Sequence, residues 1–406
     1  MDFSLSHEQK MLVETVQQFI SKELEPLEEE VERSGMLDPD LAEEIKNKSL
    51  ELGLFAMNVP ETFGGTGLNT LDWILAEEQF GHTTDILVRR AFGNVYDILF
   101  QGTPEQIERW LLPSVRGERV FSVAFTEPEA GSDAAAIRTL ARKKSNGWQI
   151  NGKKHFISDG AFSDFFVITA VTDPEKKHRG ISTFIIDKNS PGVTVGRDQP
   201  MMGLRGTSHV ELFFDDVQVG PEHLLGEEGR GLKLALETLG RIRLAQVCAR
   251  AVGKATRVQK LSIDYASQRS QFNQTLDQFQ LIQQMLADSA MEINAARLTV
   301  LQTAWEADQG QDVKARISMA KVQASEMLGR VVDRGVQILG GLGYCKDLPM
   351  ERYYRDSRIY RIYDGTSEIH RTVIAKNLSG GNSSLYQIPL NLSLIHISEP
   401  TRLGAI

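Results

Sequence analysis

The hydrophobic period of this chain changes twice, and few folds accommodate both changes. Over residues 1–118 apolar side chains recur at three- and four-residue spacing. Ser6 followed by Gln9 opens the first run as a capping box, and Leu12, Val16 and Phe19 continue it. Around Val120 the period drops toward two. RVFSVAFTE, WQINGKKHFIS, DFFVITAVT, ISTFIIDK and HVELFFDDVQV read as strands, the last alternating Val210, Leu212 and Phe214 on one face, with SNG and SPG turns between runs. From about residue 230 the helical period returns. Leu244, Val247, Cys248, Ala251, Val252, Ala255 and Val258 form one stripe, Ile282, Met285, Ile293, Ala296 and Val300 a second, and Met327, Leu328, Val331, Gly335, Ile338 and Leu339 a third. With the segment after Asp364 this makes four helices, enough for a bundle. The pattern predicts an α+β, mostly α chain. An N-terminal helical domain covers 1–118, a middle β-barrel or sandwich 119–224, a C-terminal four-helix bundle 225–378, and a tail 379–406. No long helices separate the strands, which argues against βαβ units. Within the tail, LSLIHISEPTRLGAI (392–406) shares nothing with the preceding pattern and resembles an in-frame translation of a sequencing-library adapter, so it is set aside from the fold.

Charge narrows the partners. Lys and Arg number 45 against 54 Asp and Glu, a net charge of -9, which argues against nucleic acid. It leaves room for a small anionic ligand held by local arginines or helix N-termini. Cys248 and Cys345 lack metal-ligand spacing, imply no metal site, and predict two buried thiols in a reducing compartment. The start, MDFSLSHEQK, has neither a basic n-region nor an apolar core, and no apolar run reaches the roughly 18 residues of a membrane span. These features predict a cytoplasmic protein with no membrane partner.

Taken singly, the polar and glycine-rich segments are ordinary. GEEGRG has GxxGxG spacing, not the GxGxxG of a dinucleotide fingerprint, and reads as a turn entering a long helix. FTEPEAGSD reads as a loop, KKHFISDG as a strand end, SQRSQF as a solvated helix end and QILGGLG as a helix C-cap. In RIYDGTSEIHR, Asp364 reads either as a turn and N-cap residue or as a catalytic carboxylate. Their joint order decides more. VPETFGG, TEPEAGSD, NGKKHFIS, MGLRGTS, the Arg-x-x-Phe of RSQF, QILGGLG and IYDGTSEIHR occur in sequence over about residues 1–378, and in this the chain resembles the acyl-CoA dehydrogenases.

That resemblance implies the three-domain fold already read from the periodicity, bound FAD, and a homotetramer or homodimer. By position Phe125, Thr126 and Ser132 would contact the flavin, and Phe156 and Ser158 would cover another side of it, where the family usually has Trp and Thr. Arg269, Phe272, Gln280, Gln337 and Gly341 match residues that reach the FAD of a neighbouring subunit, while Thr366 and Glu368 match contacts within the same subunit. Ser132, Arg243 and Asp364 would lie against an acyl-CoA substrate, with Asp364 removing the α-proton and a β-hydride passing to FAD. An electron-transferring flavoprotein is the implied acceptor. Asp364 departs from the usual Glu, and its side chain is one methylene shorter, which points to a branched or alicyclic substrate. Some relatives carry their Glu on an earlier helix, but that position here is Ile242, so Asp364 is the candidate base. A nitroalkane-oxidase-like flavin oxidase, an enoyl-CoA reductase and a non-catalytic acyl-CoA-binding flavoprotein are the alternatives.

Overall fold

The computed structural model describes residues 4–387. The capping box forms as expected. The Ser6 hydroxyl accepts from the Gln9 N–H at 3.2 Å, the Gln9 side chain accepts from the Ser6 N–H at 3.0 Å, and the helix runs His7–Phe19. This helix packs with Thr70–Phe80 and Asp85–Phe92 around Phe19, Phe80 and Phe92, the last two stacked at 4.0 Å. Thr70–Phe80 is buried almost all round because it also lies against the C-terminal bundle. Its Glu77 meets Arg250 at 2.6 Å, and its N-terminal N–H groups on Thr70 and Leu71 donate to Asp308 at 2.7 and 2.8 Å. A carboxylate placed there satisfies orphan donors and the helix dipole together.

The middle region contains β1 (Phe121–Ala124), β2 (Leu140–Lys144), β3 (Gly147–Ser158), β4 (Phe165–Val171), β5 (Ile181–Asp187), β6 (Val193–Asp198), β7 (His209–Val219) and β8 (Leu224–Leu225). Their order is β6-β7-β3-β2-β4-β5-β8, with β1 beside β4; β1–β4 and β2–β4 are parallel and the other pairs antiparallel. Trp148 of β3 meets Phe184 of β5 edge-on at 5.5 Å although two strands separate them in the sheet. The sheet therefore turns back over a shared core, in agreement with the barrel or sandwich expectation. Strands β2, β6 and β8 were not anticipated, and the segment RVFSVAFTE is strand only as far as Ala124.

In the C-terminal bundle one continuous rod runs from Gly231 to Gln268, with a π-helical stretch at Arg243–Ala249. Gly231 starts it, as the turn reading of GEEGRG required. A Cβ there would lie 2.3 Å from the Ser182 carbonyl carbon, so only glycine lets the rod begin so close to β5. Helices Gln280–Asp308, Lys314–Leu339 and Ser367–Ser379 complete the four, with Met350–Ser357 between the last two. All seven residues of the first predicted stripe are buried. Of the two cysteines Cys248 is buried but Cys345 is exposed, which corrects the expectation for Cys345: it follows the solvated Gly341–Tyr344 turn rather than lying on a core face. Past Leu378 the chain still packs, with Leu385 buried and Arg316 donating to the Ser384 carbonyl at 2.7 Å. The adapter-like residues 392–406 lie outside the described residues. Among the described residues no helix is long and apolar enough to cross a membrane.

Candidate active site

Asp364 is not a helix cap. The N-cap of Ser367–Ser379 is Thr366, whose hydroxyl accepts from the Ile369 N–H at 3.2 Å. Asp364 precedes it in left-handed backbone, φ 52°, followed by Gly365 at φ 90°. A non-glycine residue there is strained and needs its surroundings to hold it. Three donors do so. Arg243 Nε and His370 Nε2 converge on the Asp364 carbonyl at 2.7 and 3.0 Å, and Lys321 Nζ donates to the Gly365 carbonyl at 2.7 Å. A carbonyl only accepts, so His370 carries its proton on Nε2 and its Nδ1 accepts from Ser318 Oγ at 3.0 Å. Burial pushes His370 down to about 4, which keeps the ring neutral in this role. Burial also draws Lys321 down to about 8, with Cys248 and Asp364 opposing it, and pushes the Cys248 thiol up to about 12. The Asp364 carboxylate itself is half-buried and makes no hydrogen bond or ion pair with another described residue, and the Asp364 N–H donates to none of them. The loop is anchored through its carbonyls while its acid and its N–H stay available.

A second cluster forms where β3 leaves its register. Between Lys154 and Ile157 the strand carries one residue more than β7 opposite it, a bulge that turns Phe156 outward at φ 58° and 53% exposed. Its ring lies on His155 at 3.9 Å, and His155 Nε2 is buried without a partner. The neighbouring segment is tied down from beneath. The His155 N–H donates to the Thr126 carbonyl at 2.9 Å, and Lys154 Nζ reaches the Phe125 carbonyl at 3.2 Å and Glu127 at 2.7 Å. Glu127 also accepts the Arg138 and Thr139 N–H groups at 2.6 and 3.0 Å. Burial pushes Glu127 up, but Lys154 and these hydrogen bonds outweigh it, while burial pulls Lys154 down to about 8.

Three family models match in order: the acyl-CoA dehydrogenase N-terminal domain over residues 6–118, the middle domain over 122–217 and the C-terminal domain over 229–379. The chain belongs to the acyl-CoA dehydrogenase family. It is 40% identical over 385 residues to the acryloyl-CoA reductase (NADH) of Anaerotignum propionicum, covering 93% of this chain and 96% of the relative. It superposes on butyryl-CoA dehydrogenase from Megasphaera elsdenii with a TM-score of 0.87 and 34% identity, over 93% of this chain and 100% of that one. The FAD complex of PigA also superposes at 0.87, with 28% identity over 93% and 99%.

Within this acyl-CoA dehydrogenase fold the expected residues fall into groups. Phe125, Thr126, Phe156 and Ser158 come together around the β3 bulge, with the Ser158 carbonyl accepting from Ser122 Oγ at 2.5 Å. Thr366 and Glu368 begin the helix that follows Asp364, and Glu368 is exposed. Ser132 lies exposed on the loop after β1. Among the described residues, Arg269, Phe272, Gln280, Gln337 and Gly341 make no hydrogen bond or ion pair with Asp364. They are exposed, the first three where the rod turns into Gln280–Asp308 and the last two where Lys314–Leu339 ends, and Phe272 is 88% exposed. Arg243 grips the Asp364 backbone, and Ile242 is buried in the bundle core. Sequence reading missed Lys321, His370, Lys154 and Glu127. A lysine at 321, inside the stripe Ile317, Ala320, Ala324 and Leu328, was the available signal, because a charge on a core face needs a partner.

Proposed function

We propose that this chain is an FAD-dependent acyl-CoA dehydrogenase in which Asp364 takes the α-proton of an acyl-CoA, giving a trans-2-enoyl-CoA. The observation that carries this is the Asp364 loop: a free carboxylate on a strained backbone held by Arg243, His370 and Lys321. A base fixed through its main chain delivers its carboxylate to one place, and misplacement by about 1 Å can cost roughly 100-fold in rate. The available Asp364 N–H is a donor for the thioester oxygen, where negative charge develops as the α-proton leaves.

The residues around the bulge fit a flavin. Phe156 offers an exposed aromatic face, His155 Nε2 is a buried polar atom without a partner, and the Thr126, Ser132 and Ser158 hydroxyls make no hydrogen bond with other described residues. Phe125, Thr126, Ser132, Phe156 and Ser158 would hold FAD from the β-domain, Thr366 and Glu368 from the bundle, and Arg269, Phe272, Gln280, Gln337 and Gly341 would reach that of a neighbouring subunit in a homotetramer or homodimer. FAD bound there supplies the acceptor for the β-hydride. An electron-transferring flavoprotein is the acceptor on this reading, and the cytoplasm its location.

The reverse reaction is the second reading, favoured by the 40% identity to an acryloyl-CoA reductase. In that direction Asp364 returns the proton to the α-carbon. Anaerobic titration of the flavin-loaded protein with straight, branched and alicyclic acyl-CoAs tests both. Bleaching of the flavin band by one class supports dehydrogenation and identifies the substrate. Bleaching by none, with reoxidation of the reduced protein by enoyl-CoA, supports reduction. Neither response would overturn both readings.

A further inference from the structure

The helix Met350–Ser357 runs through one 3₁₀ turn, Arg358–Arg361, into the Asp364 loop. Its polar side chains leave the bundle for the other two domains. Arg352 Nη2 donates to Glu28 Oε2 at 2.6 Å and Arg355 Nη2 to Glu32 Oε1, both on the N-terminal helix Glu28–Ser34. Tyr353 donates its hydroxyl to the His82 carbonyl at 2.7 Å. Asp356 turns the other way, and its Oδ1 accepts the Leu204 N–H of the β-domain at 2.6 Å. This carboxylate is 3% exposed and forms no ion pair among the described residues. Burying such a group is costly, and burial pushes it up to about 6. Its one hydrogen bond to a described residue goes to the MGLRGTS turn, residues 202–208.

That turn is shaped to receive it. Leu204 is buried in left-handed backbone at φ 56°, and Thr207 closes the turn by donating its hydroxyl and N–H to the Leu204 carbonyl at 2.6 and 3.2 Å. A Cβ on Gly203 would lie 2.4 Å from Asp356 Oδ1, so only glycine lets the carboxylate come so close. The far end of the turn enters β7 beside the end of β3. His209 stands opposite Ser158, the Ser208 carbonyl accepts the Asp159 N–H at 2.8 Å, and Ser208 Oγ accepts the Ala161 N–H at 3.3 Å. A single short hydrogen bond therefore joins the helix that leads to Asp364 and the turn that borders the bulged strand of Phe156 and Ser158. Arg355 Nη1 adds only a longer one, to the Met202 carbonyl at 3.4 Å.

We propose that Asp356 is a positioning residue for the reaction: by pinning the MGLRGTS turn to the helix before Asp364, it fixes the base against the flavin-facing end of β3. This rests on the assignment of Asp364 and the β3 bulge made above. Arg352 and Tyr353 hold the helix to the N-terminal domain without Asp356, so losing its hydrogen bond frees the β-domain side rather than the helix. A base and an acceptor carried on different domains react only while their spacing is held, and an error of about 1 Å can cost roughly 100-fold in rate.

The test takes Asp356→Leu, which removes the acceptor, Asp356→Asn, which keeps an acceptor oxygen, and Gly203→Ala, which pushes the turn away with Asp356 intact. In the flavin-loaded enzyme, single-turnover reduction by the acyl-CoA that bleaches the parent should slow at least 10-fold in the Leu and Ala variants. It should stay within about threefold in the Asn variant, with acyl-CoA Kd within about twofold throughout. Hydrogen exchange on the flavin-free chain gives a readout independent of activity. Segments 202–209 and 358–366 should both exchange at least about 10-fold faster in the Leu and Ala variants and at the parent rate in the Asn variant. If Asp356→Leu does not fold, Gly203→Ala carries both measurements. Reduction within twofold of the parent in the Leu and Ala variants overturns the positioning role, as does an Asn variant as slow as Leu. Faster exchange confined to 202–209 overturns the link to the base. If no acyl-CoA bleaches the parent flavin, the dehydrogenase reading fails, and exchange alone decides whether Asp356 couples the two segments.

Discussion

Replacing Lys321 with Met separates positioning from packing. Lys321 is fully buried, and its Nζ donates at 2.7 Å to the carbonyl of Gly365, directly after the base. Methionine fills a similar volume without the donor, so the change leaves one buried carbonyl unpaired and frees one of three anchors on the 364–365 backbone. The hydrogen bond, to a charged donor, is worth about 1.5–3 kcal/mol. Gly365 is at φ 90° and a Cβ there would sit 2.8 Å from His370 Nε2, so the loop has little room on that side and is expected to relax away from His370, carrying Asp364 with it. A shift near 1 Å predicts a fall in kcat of about 100-fold. Arg243 and His370 still hold the Asp364 carbonyl, so KM for acyl-CoA and flavin content should stay within about twofold of the parent. Steady-state kinetics with a flavin-to-protein ratio from the visible spectrum measures all three. A variant that melts earlier but keeps kcat within twofold would refute the positioning argument and leave Lys321 a structural residue.

Burial holds Lys321 at about 8, below the ordinary 10.5 of a free lysine. Between those values the unfolded chain binds more protons than the folded one, so this group's contribution to stability rises with pH across that window and is lost as pH falls through about 8. The slope of denaturation free energy against pH from 8 to 10.5 should therefore flatten in Lys321→Met, and an unchanged slope contradicts the assignment. Lys154→Met strands Glu127 in the floor beneath Phe125 and Thr126, which predicts a loss of about 3–5 kcal/mol in denaturant titration and weaker flavin retention on gel filtration. Asp364→Glu lengthens the reach of the base, and kcat should rise on straight-chain acyl-CoAs and fall on branched or alicyclic ones. No change on either class removes reach as an explanation.

The large elements were legible because burial imposes period. The stripe from Leu244 to Val258 is buried throughout, and the Ser6–Gln9 capping box closes at both ends. Strands β2 and β6 were not, because LARKK and VTVGRD lie mostly toward solvent and show little apolar alternation, and the two residues of β8 are too short to show any. The π-helical turn at Arg243–Ala249 was also hidden, since its apolar residues continue the α-helical stripe on either side. Motif order located Asp364, yet the local reading of Asp-Gly as a cap was displaced by Thr366, two residues on. Lys321 and Gly365 are 44 residues apart and Arg243 and Asp364 are 121 apart, so those anchors exist only once the bundle has formed. Arg89 and Asp159, from different domains, pair for the same reason.

The central claim is that Asp364 is the base, and single-turnover flavin reduction in Asp364→Asn tests it most directly. The asparagine keeps the size of the side chain and the anchored carbonyl, and removes only the proton acceptor. Mixed anaerobically with the acyl-CoA that bleaches the parent enzyme, the variant should bind the ligand with similar affinity and reduce its flavin at least 1,000-fold more slowly, a general base commonly contributing about 10²–10⁴-fold. Reduction within a few fold of the parent rate would show that another group removes the proton, and would contradict the account.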